Sequence, residues 1–451
     1  MNIVLIGCGT IGKTVLEHAS KEKHNITIVD DDKRKVEELI ERFDVMGVVG
    51  NGASIEIQEE AGVANADLVI TLTQNDEINI LAALVAKKLG ADSTIARVRN
   101  PEYKKQVELM QEELGLSMVI NPERATAQEI MNMINIPSLL KLEQFAKGKV
   151  NLVEILLEKG NPLIGETLIS MQKVVKTKVL ICAVQRGEEV YIPSGNFKLE
   201  EGDRLNITAD ANSLVSFLKE VNLIKSPLKD IMIIGGGKIA YYLASELVSK
   251  HYNVKIIENN PARADEIAEL LPKATVIYGD GTDHDLLIEE GIEGIDACVV
   301  LTNVDEENII ASMYAKKQKA KKVIAKIKKT SFLGMIGELG IASVVSPKEI
   351  IASQIISYLR AITNDRGSNV ITLYKLVNNK VEALEFLARK KEKFYNKPLK
   401  DLKTKENCLI ACIIREGQVI IPGGNDFIQQ NDSVIVVTTH EHFNDLSDAF
   451  E

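Results

Sequence analysis

Apolar runs of strand length recur along the chain, and stretches with helical periodicity separate them. The first run is Asn2-Ile3-Val4-Leu5-Ile6. Gly7-Cys8-Gly9-Thr10-Ile11-Gly12 follows at once, then a helical pattern over 13–19, then Ile26-Thr27-Ile28-Val29 ending on Asp30. The alternation goes on with a charged helix over 32–42, a strand over 45–49, a turn at Gly50-Asn51-Gly52 and a helix to Ala61. A strand over 67–71, a helix over 76–89, a strand over 93–98, a helix over 101–114 and a strand over 118–120 complete the set. Such alternation predicts a parallel, doubly wound sheet with right-handed crossovers, which binds its ligands at the carboxyl ends of the strands. Gly9, Asp30, Asn51, Thr73 and Arg97 all fall near strand ends, so one cleft can gather them.

The pattern occurs twice, at an offset of about 229 residues. Gly7, Gly9 and Gly12 align with Gly235, Gly237 and Ala240, and Asp30 aligns with Glu258. Gly50-Asn51-Gly52 aligns with Gly279-Asp280-Gly281, Thr73 with Thr302, and Arg97 with Lys326. A repeat of this length has to be found before any fold is assigned. Each copy continues into a helix introduced by Asn121-Pro122-Glu123 or Ser346-Pro347-Lys348, over 124–136 (stopped by Pro137) and 349–362. Two roles suit these helices: a linker packed on its own domain, or a dimerising element packed on a partner subunit. Short β-rich runs then follow at 150–157, 179–185, 189–192 and 203–208, with a second set over 370–451, and Gly/Pro/Asn turns divide them. They read as a small α+β domain. The expected fold class is therefore α/β: two Rossmann-like doubly wound parallel-sheet domains, each followed by a small α+β domain. The expected boundaries are 1–137, 138–225, 226–365 and 366–451.

The Gly-rich turn brings in the first candidate chemistry. In G-x-G-x-x-G the first glycine makes the tight turn, the second lets a pyrophosphate approach the backbone, and the third lets the helix pack on the strand. The unpaired N–H groups of the helix N-terminus face the phosphates. Asp30 stands where a carboxylate accepts from adenosine ribose hydroxyls. Residues 7–14 also match the P-loop pattern, in which Lys13 would reach phosphates and Thr14 would hold Mg²⁺. The second copy, Gly235-Gly236-Gly237-Lys238-Ile239-Ala240, keeps the dinucleotide spacing and loses the P-loop one, so the dinucleotide reading explains both.

Composition narrows the partners. A net charge of −10 argues against nonspecific nucleic-acid binding, and the absence of Trp, with few aromatics, argues against base-stacking platforms. The lysine-rich stretch 315–329 reads as a solvated face. No run approaches the ~20 apolar residues that span a bilayer, and the chain opens directly into a strand, so no signal peptide is expected. The five cysteines lie mostly inside apolar runs, as reduced core thiols of a cytosolic protein do.

A redox enzyme would need a proton donor beside its cofactor. His284, just past Gly279-Asp280-Gly281, is the only candidate, and the first copy has Glu56 there. Arg97 and Arg99 share a strand face. Arg97 is expected on nucleotide phosphates, and Arg99 in an ion pair with Glu102 or a neighbouring acid. Asp76, Glu77 and Asn79 open a helix, where capping and dipole complementation account for them.

Taken together, the Gly-rich unit, Asp30, Gly50-Asn51-Gly52-Ala53, Thr71-Leu72-Thr73-Gln74-Asn75-Asp76-Glu77, Ile95-Ala96-Arg97-Val98 and Pro101-Glu102-Tyr103 resemble the regulator-of-potassium-conductance (RCK, or KTN) family. The β-rich parts resemble that family's C-terminal domain through Pro162-Leu163-Ile164-Gly165-Glu166-Thr167-Leu168, Arg186-Gly187, Ile192-Pro193 and Gly202-Asp203. Two such units in one chain resemble the TrkA-type cytosolic subunits of Trk potassium uptake systems.

The resemblance implies a nucleotide-operated gating subunit without catalysis, bound as a homotetrameric ring to a membrane-embedded potassium-translocating (TrkH/TrkG-like) subunit on the cytoplasmic side. It implies NAD(H), ATP or ADP as ligand, held by Gly7, Cys8, Gly9, Thr10, Ile11, Asp30, Asn51, Gly52, Thr73 and Arg97 in one copy. The other copy would use Gly235, Gly237, Lys238, Ile239, Glu258, Asp280, Gly281, Thr302 and Lys326. Asp30 and Glu258 would repel a ribose 2′-phosphate, which disfavours NADP. Lys326 offers a point charge where Arg97 offers a fork, so the second site is expected to bind more weakly or to take a different nucleotide.

Overall fold

The computed structural model describes the chain apart from residues 23, 101, 102, 104, 105, 108–110, 112, 136–138, 146–149, 224–227, 333–335, 337, 338, 340, 342, 365–369, 377–379, 390, 391, 441, 442 and 444. The expected domain boundaries 137/138, 225/226 and 365/366, and most of the helix expected over 101–114, lie outside the described residues.

The first half opens with β1 (Asn2–Ile6), α1 (Thr10–Ala19), β2 (Asn25–Asp30), α2 (Lys33–Arg42), β3 (Met46–Val49), α3 (Ile55–Glu60), β4 (Leu68–Thr71), α4 (Asp76–Leu89), β5 (Ser93–Arg97) and β6 (Met118–Ile120). The strands form one parallel sheet in the order β3-β2-β1-β4-β5-β6. That order reverses direction between β1 and β4, which opens a crevice above their carboxyl ends. β1 is buried on both faces, Ile3 and Leu5 on one and Val4 and Ile6 on the other, as a central parallel strand must be.

Helix α5 (Pro122–Asn135) leads to a small sheet of β7 (Leu139–Phe145), β8 (Val150–Leu156), β9 (Leu180–Arg186), β10 (Glu189–Tyr191) and β11 (Arg204–Ala209), closed by α6 (Ala211–Glu220). This sheet is antiparallel, in the order β10-β9-β11-β8-β7. The second half repeats the design. Its parallel sheet contains β12 (Asp230–Ile234), β13 (Asn253–Glu258), β14 (Thr275–Tyr278), β15 (Ala297–Val300), β16 (Lys322–Lys326) and β17 (Ser343–Val345), in the order β14-β13-β12-β15-β16-β17. Its helices are α7 (Lys238–Ser249), α8 (Pro261–Leu270), α9 (His284–Glu289), α10 (Asp305–Lys317) and α11 (Pro347–Asn364). The last sheet holds β18 (Val370–Leu376), β19 (Val381–Leu387), β20 (Cys408–Arg415), β21 (Gln418–Ile420) and β22 (Ser433–Thr438). Strand β7 and helix α6 were not foreseen from the sequence.

The long helices do not pack on their own domains alone; each reaches the other half of the chain. Helix α5 packs on the opposite nucleotide fold of the same chain: Ala127, Ile130, Met131 and Ile134 share one core with Ile239, Leu243 and Leu247 of α7. Helix α11 returns the exchange, placing Ile351, Ile355, Ile356 and Leu359 against Val15, Leu16 and Ala19 of α1. Each large side chain buried this way contributes about 1.5–3 kcal/mol, so the two halves are clasped by two hydrophobic contacts. The small sheets also meet face to face, through Val150, Leu152 and Cys182 on one side and Ala411, Cys412 and Val437 on the other.

Candidate functional site

The Gly-rich turn needs its glycines for different reasons. Gly7 has φ +94°, and a Cβ there would stand 2.6 Å from the Thr73 amide nitrogen, so the turn lies directly on the end of β4. At Gly12 a Cβ would collide with the Gly7 carbonyl. Gly9 is different: its φ is −69°, open to any residue, and no heavy atom lies within 4 Å of where a Cβ would be. Gly237 repeats this, with φ −69° and the same open space. Neither backbone strain nor packing asks for glycine at these two positions. That space leaves the backbone open to close approach, and the α1 and α7 N-termini beside it lack side-chain caps for their N–H groups.

Asp30 is buried at the end of β2. Its Oδ2 accepts from the Cys8 amide at 2.7 Å, and its Oδ1 from the Asp32 amide at 3.0 Å, with the Lys35 ammonium at 3.5 Å. Oδ2, with a single donor, keeps a lone pair for a ribose hydroxyl. Glu258 repeats the pattern, accepting from Gly236 at 2.6 Å and Asn260 at 2.8 Å. A Cβ on Gly236 would stand 2.5 Å from Ile267 Cδ1 and 2.9 Å from Glu258 Oε2, so the second turn has no room for a side chain where the first has Cys8. Cys8 is a core thiol, pushed up to about 12 by burial and by Asp30. Lys35, and Arg263 in the second copy, join these sites without having been foreseen; Arg263 donates from Nε to the Gly236 carbonyl at 2.8 Å.

Beyond the turn, Thr73 and Arg97 meet. The Thr73 amide and hydroxyl donate to Asn79 Oδ1, while Asn79 Nδ2 donates to the Thr73 and Arg97 carbonyls, which ties the ends of β4 and β5 together. The Arg97 guanidinium donates to the Thr73 carbonyl, and its Nε is buried with no partner. Burial, and then neighbouring Arg99, draw its pKa down. In the second copy Lys326 Nζ donates to the Leu301 carbonyl at 2.9 Å, and burial pushes it down to about 8. Both cations stand beside the turn with hydrogen-bonding capacity left over, as phosphate ligands require.

The remaining residues separate. Asn51 closes its own turn on the Ala53 amide at 3.0 Å, and Asp280 does the same with Thr282 at 2.8 Å. Gly52 and Gly281 are small because Ile6 and Ile234 lie against them. Thr10 and Lys238 begin α1 and α7; Ile239 is buried in the core at the base of α7, and Ile11 packs on the first fold's core. The P-loop alternative fails, because Lys13 pairs with Glu38 of α2 at 2.8 Å and the buried Thr14 hydroxyl donates back to the Thr10 carbonyl. Arg99 pairs with Glu123 at 2.7 Å, a neighbouring acid as expected; Glu102 lies outside the described residues. Asp76 does more than complement a dipole: it accepts from the Arg99 and Asn100 amides at 2.8 and 2.7 Å. His284 stacks flat on Tyr314 at 3.7 Å between ring centres.

One feature of the site lay beyond sequence reasoning, since it depends on how the two halves clasp. A polar cavity of about 200 Å³ is lined by Gln74, Asn75, Asp76, Glu77, Arg99 and Tyr103 of the first half and by Lys238 of the second. Asp76 Oδ1 is buried there without a partner. Tyr242 of α7, which donates to the Arg99 carbonyl and accepts from Asn121, holds the second half against these loops.

The family model of the TrkA-N domain matches residues 3–122 and 231–347, and that of the TrkA-C domain matches 152–222 and 384–451. The chain is 32% identical to the Trk system potassium uptake protein TrkA homolog 1 of Methanosarcina mazei over 97% of both chains. Among solved structures it is similar in fold to the GsuK channel bound to NAD, at 18% identity, with a TM-score of 0.64 over 98% of this chain and 77% of that one. It is also similar to the GsuK bound to ADP, at 16% identity, with a TM-score of 0.51 over 81% of this chain and 69% of that one.

Proposed function

This chain belongs to the TrkA family of Trk system potassium uptake proteins, and from that premise we propose that it is a nucleotide-operated regulatory subunit of a potassium uptake system. The ligand is NAD(H) or an adenine nucleotide, seated on Gly9 and Gly237 with its ribose on Asp30 or Glu258 and its phosphates near Arg97 or Lys326. Both carboxylates disfavour the extra phosphate of NADP. Its partner is a membrane-embedded potassium-translocating subunit of the TrkH/TrkG kind, which it meets from the cytoplasm as a ring-forming homotetramer. The domain limits are those expected from the repeat.

The observation that carries this reading is the shared cleft. The polar cavity after β4 is lined by Gln74 to Glu77 of the first half and by Lys238 at the second turn, so a ligand there touches both halves. Occupancy of one half is therefore felt by the other, and a ligand that favours one mutual arrangement shifts the population towards it.

The test uses the whole chain, because cutting it between 225 and 226 would strip α5 and α11 of the surfaces they cover. Thermal melting is followed with NAD, NADH, NADP, ATP and ADP. Bound ligand raises the midpoint by mass action, so NAD(H) or ADP/ATP should stabilise and NADP should not. If no nucleotide shifts the midpoint, the reading is wrong.

A further inference from the structure

The geometry points to a proton-operated latch between α1 and α11, in which protonated His18 grips Glu349 and ties the first Gly-rich turn to the tether of the second small domain. Helix α1 carries Gly9 and Thr10 at its start and His18 two turns later, so the phosphate cradle and His18 ride on one rigid rod. Helix α11 leaves the second nucleotide fold and runs towards β18 of the second small sheet. Apolar packing holds the two helices together, and polar contacts sit at each end of that packing. At one end His18 Nε2 lies 3.1 Å from Glu349 Oε2. At the other, Arg360 donates to Glu22, whose second oxygen meets His24 Nε2 at 3.1 Å.

Glu349 also feels the charges of Lys348 on its own helix and Lys21 of α1, and Glu17 of α1 is held at 3.1 Å by Arg42 of α2. The hydrogen bond from His18 outweighs burial and holds the Glu349 carboxyl below the usual range, so it stays anionic at mildly acid pH. Imidazoles as a class change charge between about pH 5 and 8. Across that window the contact passes from a neutral hydrogen bond to a charge-assisted one. Glu22 varies less, because Arg360 is charged throughout. His24 is buried, and its Nδ1 has no partner, so a second ring proton would find no acceptor.

The matching contact of α5 on α7 rests on Tyr252 with Asn135 and Tyr242 with Asn121. Phenols keep their proton in this window, so the proton acts on one half only. The inference goes beyond the nucleotide reading and stands whichever nucleotide is bound.

Hydrogen exchange on the full chain tests it, with peptides from 10–22 and 347–364 followed at pH 7.8 and 5.8 and corrected for the intrinsic rate. Wild type should open α11 about threefold less often at pH 5.8, the size expected of a half-exposed ion pair. His18→Gln and Glu349→Gln, both at half-exposed positions, should lose that response, and His24→Gln should keep it. A flat wild-type profile, a response surviving in His18→Gln, or one abolished by His24→Gln would each overturn the latch.

Discussion

The two nucleotide folds share strand order and turn geometry but differ in the chemistry at the turn. The first half uses Asp30 beside Cys8 and a guanidinium at Arg97. The second uses Glu258 beside Gly236 and a buried ammonium at Lys326. Lys238 lines the polar cavity between the halves, and the position equivalent to Lys238 in the first turn is Thr10. Sheet order and backbone thus set where a ligand lies, while a few side chains set how its charge is met. The first half carries a cation that no physiological pH removes. The second carries one that burial has brought close to neutrality.

The largest effect should come from filling the open cradle. Gly9→Leu has room and an allowed backbone, so melting should barely move, yet nucleotide affinity at the first turn should fall at least about a hundredfold, roughly 2.8 kcal/mol. Gly237→Leu should do the same for the second turn. Calorimetric titration of each single variant should then report the other site alone. Equal losses at both sites from one substitution would break the comparison.

Swapping the acids comes next. Asp30→Glu places its extra methylene against Cys8 and should cost about 1–3 kcal/mol of stability. Adding Cys8→Gly should recover part of that, because the second half already tolerates the pair. Additive losses in denaturant melts would show that the two positions do not share one space.

The cations separate by pH. Lys326 lies at about 8 in the folded chain, and a bound phosphate favours its charged form. Binding therefore takes up a proton above pH 8, and affinity at the second turn should fall up to about tenfold per pH unit there. Titrations at pH 7, 8 and 9 in the Gly9→Leu background check this. Lys326→Arg should flatten the profile, and the first turn, read in Gly237→Leu, should be flat already. The smallest difference concerns helix starts. Asn75 accepts from the Ile78 amide at 2.8 Å, whereas Val304 offers no cap. Val304→Asn should add about 0.5–1 kcal/mol in the same melts.

Much of this was legible in the sequence. The apolar runs, the three-glycine spacing and the acid ending β2 specify a local unit, so the sheets and both turns followed from chain order. What resisted was everything set by contacts between distant segments. The apolar face of α5 says that Ile130 and Ile134 must be buried, but not that Leu243 buries them. Asp76 looks like any acid at a helix start until two amides from the loop after β5 are found on it. Lys238 was expected at its own turn, and only the exchanged helices bring it to the other half's cleft. Helix α6 was missed although Asp210 caps it with bonds to Asn212 and Ser213 and Leu214, Phe217 and Leu218 mark its buried face.

The central claim is that nucleotide on these turns controls potassium uptake. The most direct measurement is uptake at limiting external potassium, in cells lacking their own copy of this subunit and supplied with either the wild type or Gly9→Leu/Gly237→Leu. The double variant should fold, accumulate to the same level and leave uptake uncontrolled by nucleotide, far from the wild-type rate. Uptake identical to wild type in cells holding the folded double variant would contradict the account.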